Sequence, residues 1–148
     1  DRRIPLLVRG PTLPAGTLRA ATYGLVDLAP TFLELAQAEA GLTVDGRSMM
    51  GTLRDDEPSY PDYLIQAAGQ DLRPPPGTRD RPWWWRGVRS SDYVYVRYND
   101  GFEELYDMRA DPGQLTNVAS LPEYAEVKGQ YADRLKSLKR CTGDGCRR

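Results

Sequence analysis

The sequence predicts an α+β fold: an edge strand and a helix of a larger α/β domain, followed by a small four-stranded antiparallel sheet with a C-terminal helix. Three observations predict it. A continuously apolar run, Leu6-Leu-Val8, precedes a stretch with helical spacing. Two β-type runs flank the turn Asn99-Asp-Gly101. Apolar residues then recur at helical spacing from Tyr124 to Leu138.

The first element is a strand over Arg3–Arg9. Its continuous apolarity suits burial on both faces of a mostly parallel sheet. Gly10-Pro11 and Pro14-Ala-Gly16 then force a loop. In Val26–Ala36, Asp27 is placed to cap a helix N-terminus, and Pro30 falls in the first turn, where a missing N–H costs nothing. Leu28, Phe32, Leu35 and Ala36 share one face, and Gly41 is the expected stop. Val44–Leu53 reads as a turn with a short apolar segment. The charged stretch Arg54-Asp-Asp-Glu-Pro58 marks a boundary, dividing the chain into residues 1–57 and 58–148. Within it, Asp55, Asp56 and Glu57 read as an exposed linker rather than a metal cluster.

In the second part Tyr63–Ala67 is a candidate strand. Residues 70–82 carry four prolines and form a long excursion. Strands follow at Trp84–Arg89, Tyr93–Tyr98 and Phe102–Asp107. The Asp-Gly step between the last two tolerates positive φ and signals a hairpin. Along Tyr93–Tyr98, Tyr93, Tyr95 and Arg97 face one way and Val94, Val96 and Tyr98 the other, so both faces are expected to be partly covered. Ser120-Leu-Pro-Glu123 matches a capping box. Tyr124, Val127, Tyr131, Leu135 and Leu138 then define the buried face of the last helix, which ends in Lys136, Lys139 and Arg140.

Composition narrows the function. The chain of 148 residues carries 20 basic and 21 acidic residues, a net charge of −1. That balance argues against a nucleic-acid partner. No apolar run approaches the roughly 18 residues that span a bilayer, so no membrane partner is expected. There is no signal peptide and no initial Met, and the chain reads as a processed product or an excised fragment. Histidine is absent, which removes the commonest general base and metal ligand. Cys141 and Cys146 enclose Thr-Gly-Asp-Gly. Their spacing fits neither a zinc set nor a Cys-x-x-Cys redox pair. A small disulfide loop in an oxidising compartment is the simplest reading; two free thiols are the alternative.

Few residues offer chemistry. Glu103 and Glu104 fall on opposite faces of a regular strand, a poor arrangement for paired acid/base work. Gly143-Asp-Gly145 is too short for a calcium loop. Trp83, Trp84 and Trp85, with Arg79, Arg81, Arg86 and Arg89, are the best binding candidates. Aromatic faces stack on sugar rings, and the Arg fork grips sulfate or carboxylate. Trp83, Trp84 and Arg86 are the candidate substrate-binding residues, whereas Trp85 is expected in the core. The opposing reading makes the tryptophans strand residues and the arginines solvated.

A set of motifs, each weak alone, occurs here in an ordered series. It comprises Ile4-Pro-Leu-Leu-Val-Arg-Gly-Pro11, Pro14-Ala-Gly16, Val26-Asp-Leu-Ala-Pro-Thr31, Asp45-Gly-Arg-Ser48, Glu104-Leu-Tyr-Asp107, and Asp111-Pro112 followed by Asn117. The series resembles the C-terminal region of sulfatases of the alkaline phosphatase superfamily and covers nearly the whole chain. The tail Leu138–Arg147 resembles the N-acetylglucosamine-6-sulfatase branch, in which a short Cys-to-Cys loop closes the last helix. The resemblance implies that the first strand and helix complete a large domain built mostly by preceding sequence, and that the small sheet domain comes last.

The resemblance also implies what is missing. Such enzymes use a Cys- or Ser-x-Pro-x-Arg motif, whose first residue becomes a formylglycine nucleophile, together with calcium held by Asp and Asn and with Lys and His around the sulfate. Neither cysteine here is followed by x-Pro-x-Arg, and no histidine exists. The chain is therefore expected to hold no catalytic residue, metal or cofactor and to be inactive alone. A parent sulfatase acting on sulfated amino sugars or glycosaminoglycans would need calcium and a formylglycine. The implied partners are the N-terminal part of that parent and a sulfated carbohydrate; the implied location is secreted or extracytoplasmic. The alternative is a non-catalytic carbohydrate-binding or interaction module. A phosphodiesterase or phosphonate hydrolase is a third reading, against which the cysteine tail counts. Without neighbouring strands, Leu6, Leu7 and Val8 should lack partners, leaving the first 50 residues the less stable part.

Overall fold

The computed structural model describes residues 5–19, 21–54, 62–68 and 83–146, with the side chains of 62–68 and of Trp83 outside the description. The linker at 55–58, the proline excursion and Arg79 and Arg81 therefore lie outside the described residues. The ordered elements are α1 (Leu28–Leu35), α2 (Met50–Leu53), β1 (Asp62–Ala68), β2 (Trp83–Ser90), β3 (Tyr93–Tyr98), β4 (Glu103–Asp107) and α3 (Ala125–Leu138). The architecture is α+β, an antiparallel sheet with a C-terminal helix, as the sequence predicts.

The sheet is a meander in the order β1-β2-β3-β4. Turn chemistry sets its register. Between β2 and β3, Ser90 Oγ accepts the N–H groups of Asp92 (3.1 Å) and Tyr93 (3.0 Å). Between β3 and β4, Gly101 adopts φ 93°, the positive angle the Asp-Gly step predicts. The Asp100 carboxylate accepts the Phe102 N–H at 2.9 Å there. These turns place Val88 opposite Tyr95 and Tyr95 opposite Leu105. All three are fully buried against Leu135 and Leu138 of α3, with Val118 and Ala119 closing the cluster. Burying each such side chain stabilises the fold by about 1.5–3 kcal/mol. Tyr124, Val127 and Tyr131 pack at its margin, so the helical spacing located the buried face of α3. Tyr131 also meets Tyr93 edge-on, with ring centroids 5.6 Å apart, and hydrogen-bonds Ser90 Oγ at 2.6 Å.

The other face of β3 is buried as well, through Val94 and Val96. The outer edge of β4 is met by a side chain. Asn117 Oδ1 accepts the Leu105 N–H at 3.0 Å, and its Nδ2 donates to the Glu103 carbonyl at 3.1 Å. The Val118 N–H continues the pattern onto the Leu105 carbonyl at 2.9 Å.

Several local readings meet a different outcome, each for a local reason. Residues 5–9 form no strand, although Leu6, Leu7 and Val8 lack partners as expected, being 53%, 96% and 45% exposed. Among the described residues no strand pairs with them, and a strand needs a neighbour to satisfy its backbone. The apolar side of α1 is uncovered: Phe32 and Leu35 are 61% and 56% exposed, whereas Thr31 is buried. The helix ends before Gly41, because Gln37 takes the left-handed conformation (φ 52°). There the Ala38 N–H reaches the Leu33 carbonyl and the Gln37 N–H the Glu34 carbonyl, a glycine-type C-terminal closure made by glutamine. Finally, the Ser120–Glu123 capping box does not form. Pro122 starts a 3-10 turn at Pro122–Tyr124, and α3 begins after it, without a side-chain cap.

Candidate functional site

Two sequence motifs of the first part prove to be two sides of one knot. Asp27, 4% exposed, spans from the start of α1 to the turn at 45–49. Its Oδ2 accepts the Gly24 N–H and its Oδ1 the Arg47 N–H, both at 2.9 Å. Asp27 lies at the N-cap position of α1, yet its carboxylate does not cap that helix; it crosses to a segment 20 residues away. Thr31 Oγ donates to the Asp27 carbonyl at 2.6 Å and accepts the Met49 N–H at 2.9 Å. Gly46 lets the two backbones touch, since a Cβ there would stand 2.6 Å from the Val26 carbonyl carbon.

The tail locks onto the same turn. Cys141 and Cys146 are joined as a disulfide, and Gly143 within that loop donates its N–H to Asp45 Oδ1 at 2.7 Å. The loop therefore ties the end of α3 to a turn 98 residues earlier.

Binding chemistry gathers on the α3 side of the sheet. Arg86 on β2 stands directly opposite Arg97 on β3, so both point to the same face. A cleft of about 310 Å³ opens between them and the last turns of α3, with Arg86, Arg97, Lys136 and Lys139 in its lining and Tyr95 and Tyr98 among its walls. Lys136 and Lys139, three residues apart, are neighbours on the surface of the end of α3. Acidic groups sit at the margin. Glu103, cross-strand from Arg97, accepts the buried Tyr95 hydroxyl at 2.6 Å and pairs with Lys128 at 3.5 Å. The Tyr95 hydrogen bond, then Lys128 and Arg97, hold its carboxyl below the usual range, while burial and Glu103 push the Tyr95 hydroxyl up. Asp133 pairs with Lys136 on the exposed side of the helix at 2.7 Å.

The predicted binding residues are divided. Arg86 lines the cleft. Trp84 is 47% exposed and lies outside the lining, and the Trp83 side chain is not described. Sequence reasoning missed Arg97, Lys136 and Lys139 as a group, because strand register and helix docking bring them together. Glu103 and Glu104 do part to different partners: Glu103 to Tyr95, Glu104 to the Tyr98 hydroxyl at 3.1 Å. Among the described residues no group of three or more His, Cys, Asp or Glu is placed to hold a metal. Cys141 and Cys146 are bonded to each other, so neither is available for conversion to formylglycine. No helix among the described residues is long and apolar enough to cross a membrane.

The family described as N-sulphoglucosamine sulphohydrolase, C-terminal, matches residues 1–141. An N-acetylglucosamine-6-O-sulfatase of Bacteroides thetaiotaomicron is 30% identical over 142 residues, covering 94% of this chain and 25% of that protein. The solved structure of a 2-O GAG sulfatase is similar with a TM-score of 0.59 and 28% identity, over 82% of this chain and 28% of that one. A phosphonate monoester hydrolase of Agrobacterium radiobacter gives a TM-score of 0.63 and 25% identity, over 76% of this chain and 24% of that one. The chain thus spans about a quarter of the length of the relatives it matches.

Proposed function

Because this chain belongs to the N-sulphoglucosamine sulphohydrolase C-terminal family, we propose that it serves as the C-terminal portion of a sulfatase acting on sulfated amino sugars or glycosaminoglycans. The observation that carries this reading is the family match over residues 1–141. There is no histidine, and both cysteines are bonded to each other. In this reading residues 1–57 complete the large domain, and 58–148 form the small one. The uncovered Leu6–Val8 run and the Phe32–Leu35 side of α1 are the surfaces that the preceding part would bury. Calcium and the formylglycine would come from that part, with Trp83, Trp84 and Arg86 on a wall of the substrate cleft. A secreted or extracytoplasmic location accords with the Cys141–Cys146 disulfide.

The test starts with the gene. Extending the open reading frame upstream should reveal a Cys- or Ser-x-Pro-x-Arg motif, and the whole protein should release sulfate from a 6-sulfated glucosamine. A whole protein that lacks the motif or cleaves no sulfate ester would end the reading.

A further inference from the structure

We propose that the cleft between the sheet and α3 is a binding site for a sulfated polysaccharide strand, read by the cation quartet Arg86, Arg97, Lys136 and Lys139. This rests on the sulfatase reading for the choice of a sulfated glycan. The site itself rests on placement.

Arg86 and Arg97 are direct cross-strand neighbours, a position where like charges oppose folding. The helix packed over them adds two lysines to the same 310 Å³ space. Four cations therefore line one cleft in a chain whose net charge is −1, and among the described residues no acidic residue shares the lining. The nearby carboxylates are engaged at the margin, Glu103 by Tyr95 and Lys128 and Asp133 by Lys136 from the solvent side. Two planar guanidinium forks on a rigid strand pair suit the oxygens of a sulfate group. The lysines on α3 add point charges on the opposite wall. Tyr95 and Tyr98 supply aromatic surface within the same walls, which suits a sugar ring better than a bare inorganic anion. The cleft is open at the surface, where Arg97, Lys136 and Lys139 are exposed, so a sugar unit held in it can belong to a longer strand that continues into solvent.

The experiment is titration of the 148-residue chain with a heparin hexasaccharide at several salt concentrations. Heparin stripped of its sulfates and a single-stranded RNA of similar charge serve as comparison ligands. The expected result is sulfate-dependent binding that weakens with salt. The double variant Lys136→Ala/Lys139→Ala should bind about tenfold more weakly, with the slope of log affinity against log salt reduced by about 2. Its thermal midpoint should be unchanged, because both side chains are exposed. Arg97→Gln should weaken binding too, whereas Arg109→Ala, on the exposed Asp92 pair, should leave it within about twofold. No binding, equal binding to the desulfated chain, equal or tighter binding of RNA, or unaltered affinity of the double variant would overturn the proposal. The two readings fail separately. Sulfate-ester hydrolysis by the whole protein without heparin binding by this chain sinks the cleft. Heparin binding without hydrolysis sinks the enzyme assignment and leaves a carbohydrate-binding module.

Discussion

Replacing Asp27 with alanine should loosen the first part of the chain more than any other single carboxylate change there. The Asp27 side chain is nearly sealed from water, and each oxygen accepts one backbone N–H, from Gly24 and from Arg47. Hydrogen bonds to a charged group contribute about 1.5–3 kcal/mol each, and alanine leaves both donors unsatisfied. Because water can reach the two N–H groups partway, the lower half of that range applies, giving about 3 kcal/mol for the pair. Asparagine should cost roughly 2 kcal/mol, since its carbonyl serves one donor while its amide faces the other. Native-state hydrogen exchange is the assay, read at the amides of Gly24, Arg47 and Met49. A loss of about 3 kcal/mol corresponds to a roughly hundredfold fall in their protection. Strand β3 should be unaffected, because its core lies against α3. Protection at Arg47 within about threefold of wild type in Asp27→Ala would refute the account of this knot.

Two further changes probe the other end of the fold. Gly143→Ala forces a Cβ onto a residue at φ 53° and within 3.1 Å of the Thr43 methyl. It should cost about 1–2 kcal/mol and raise amide exchange at Gly143 and Arg47 together; exchange changed in the tail alone would show that the tail and the turn are not coupled. Tyr95→Phe should cost about 1–2 kcal/mol at pH 7 by removing the hydroxyl from Glu103. Glu103 has its carboxyl held below the ordinary value of 4.5, so its contribution is complete above that pH and disappears as pH falls through the lowered value. The difference between wild type and Tyr95→Phe in urea unfolding should therefore shrink toward pH 3, and a difference constant from pH 7 to pH 3 would contradict the linkage.

What the sequence disclosed follows the reach of the interactions. The face of α3 was legible because Tyr124, Val127, Tyr131, Leu135 and Leu138 repeat at the helical period and all turn to one core. The β3–β4 hairpin was legible because Gly101 must adopt a conformation that other residues resist. Leu6–Val8 was read as a strand without neighbours in this chain, and the Phe32–Leu35 side of α1 as one apolar face; both are exposed. Apolarity signals that a surface is to be covered, but not that this chain supplies the cover. Asp27 illustrates the same limit at one residue. Its position suggested a helix cap, but its oxygens go to Gly24 and to Arg47, contacts fixed by tertiary approach at Gly46. The cation cleft was the least legible feature. Arg86 stood out among tryptophans, while Arg97, Lys136 and Lys139 read as ordinary polar-face residues until register and docking brought them to one space.

Asn117 carries a consequence for how this chain behaves in a crowd. An edge strand offers its unpaired N–H and C=O groups to any passing strand, which is how sheets recruit copies of themselves and grow into fibres. Here the Asn117 amide takes the place of a fifth strand, meeting the Leu105 N–H and the Glu103 carbonyl while the Val118 N–H meets the Leu105 carbonyl. Asp111 holds the approach in place by accepting the Leu115 and Thr116 N–H groups at 2.6 and 2.7 Å. Asp111 and Asn117 thus spend their side-chain oxygens and amide on backbone groups of this border. They withhold a template, keeping this border of the sheet from being copied by its neighbours.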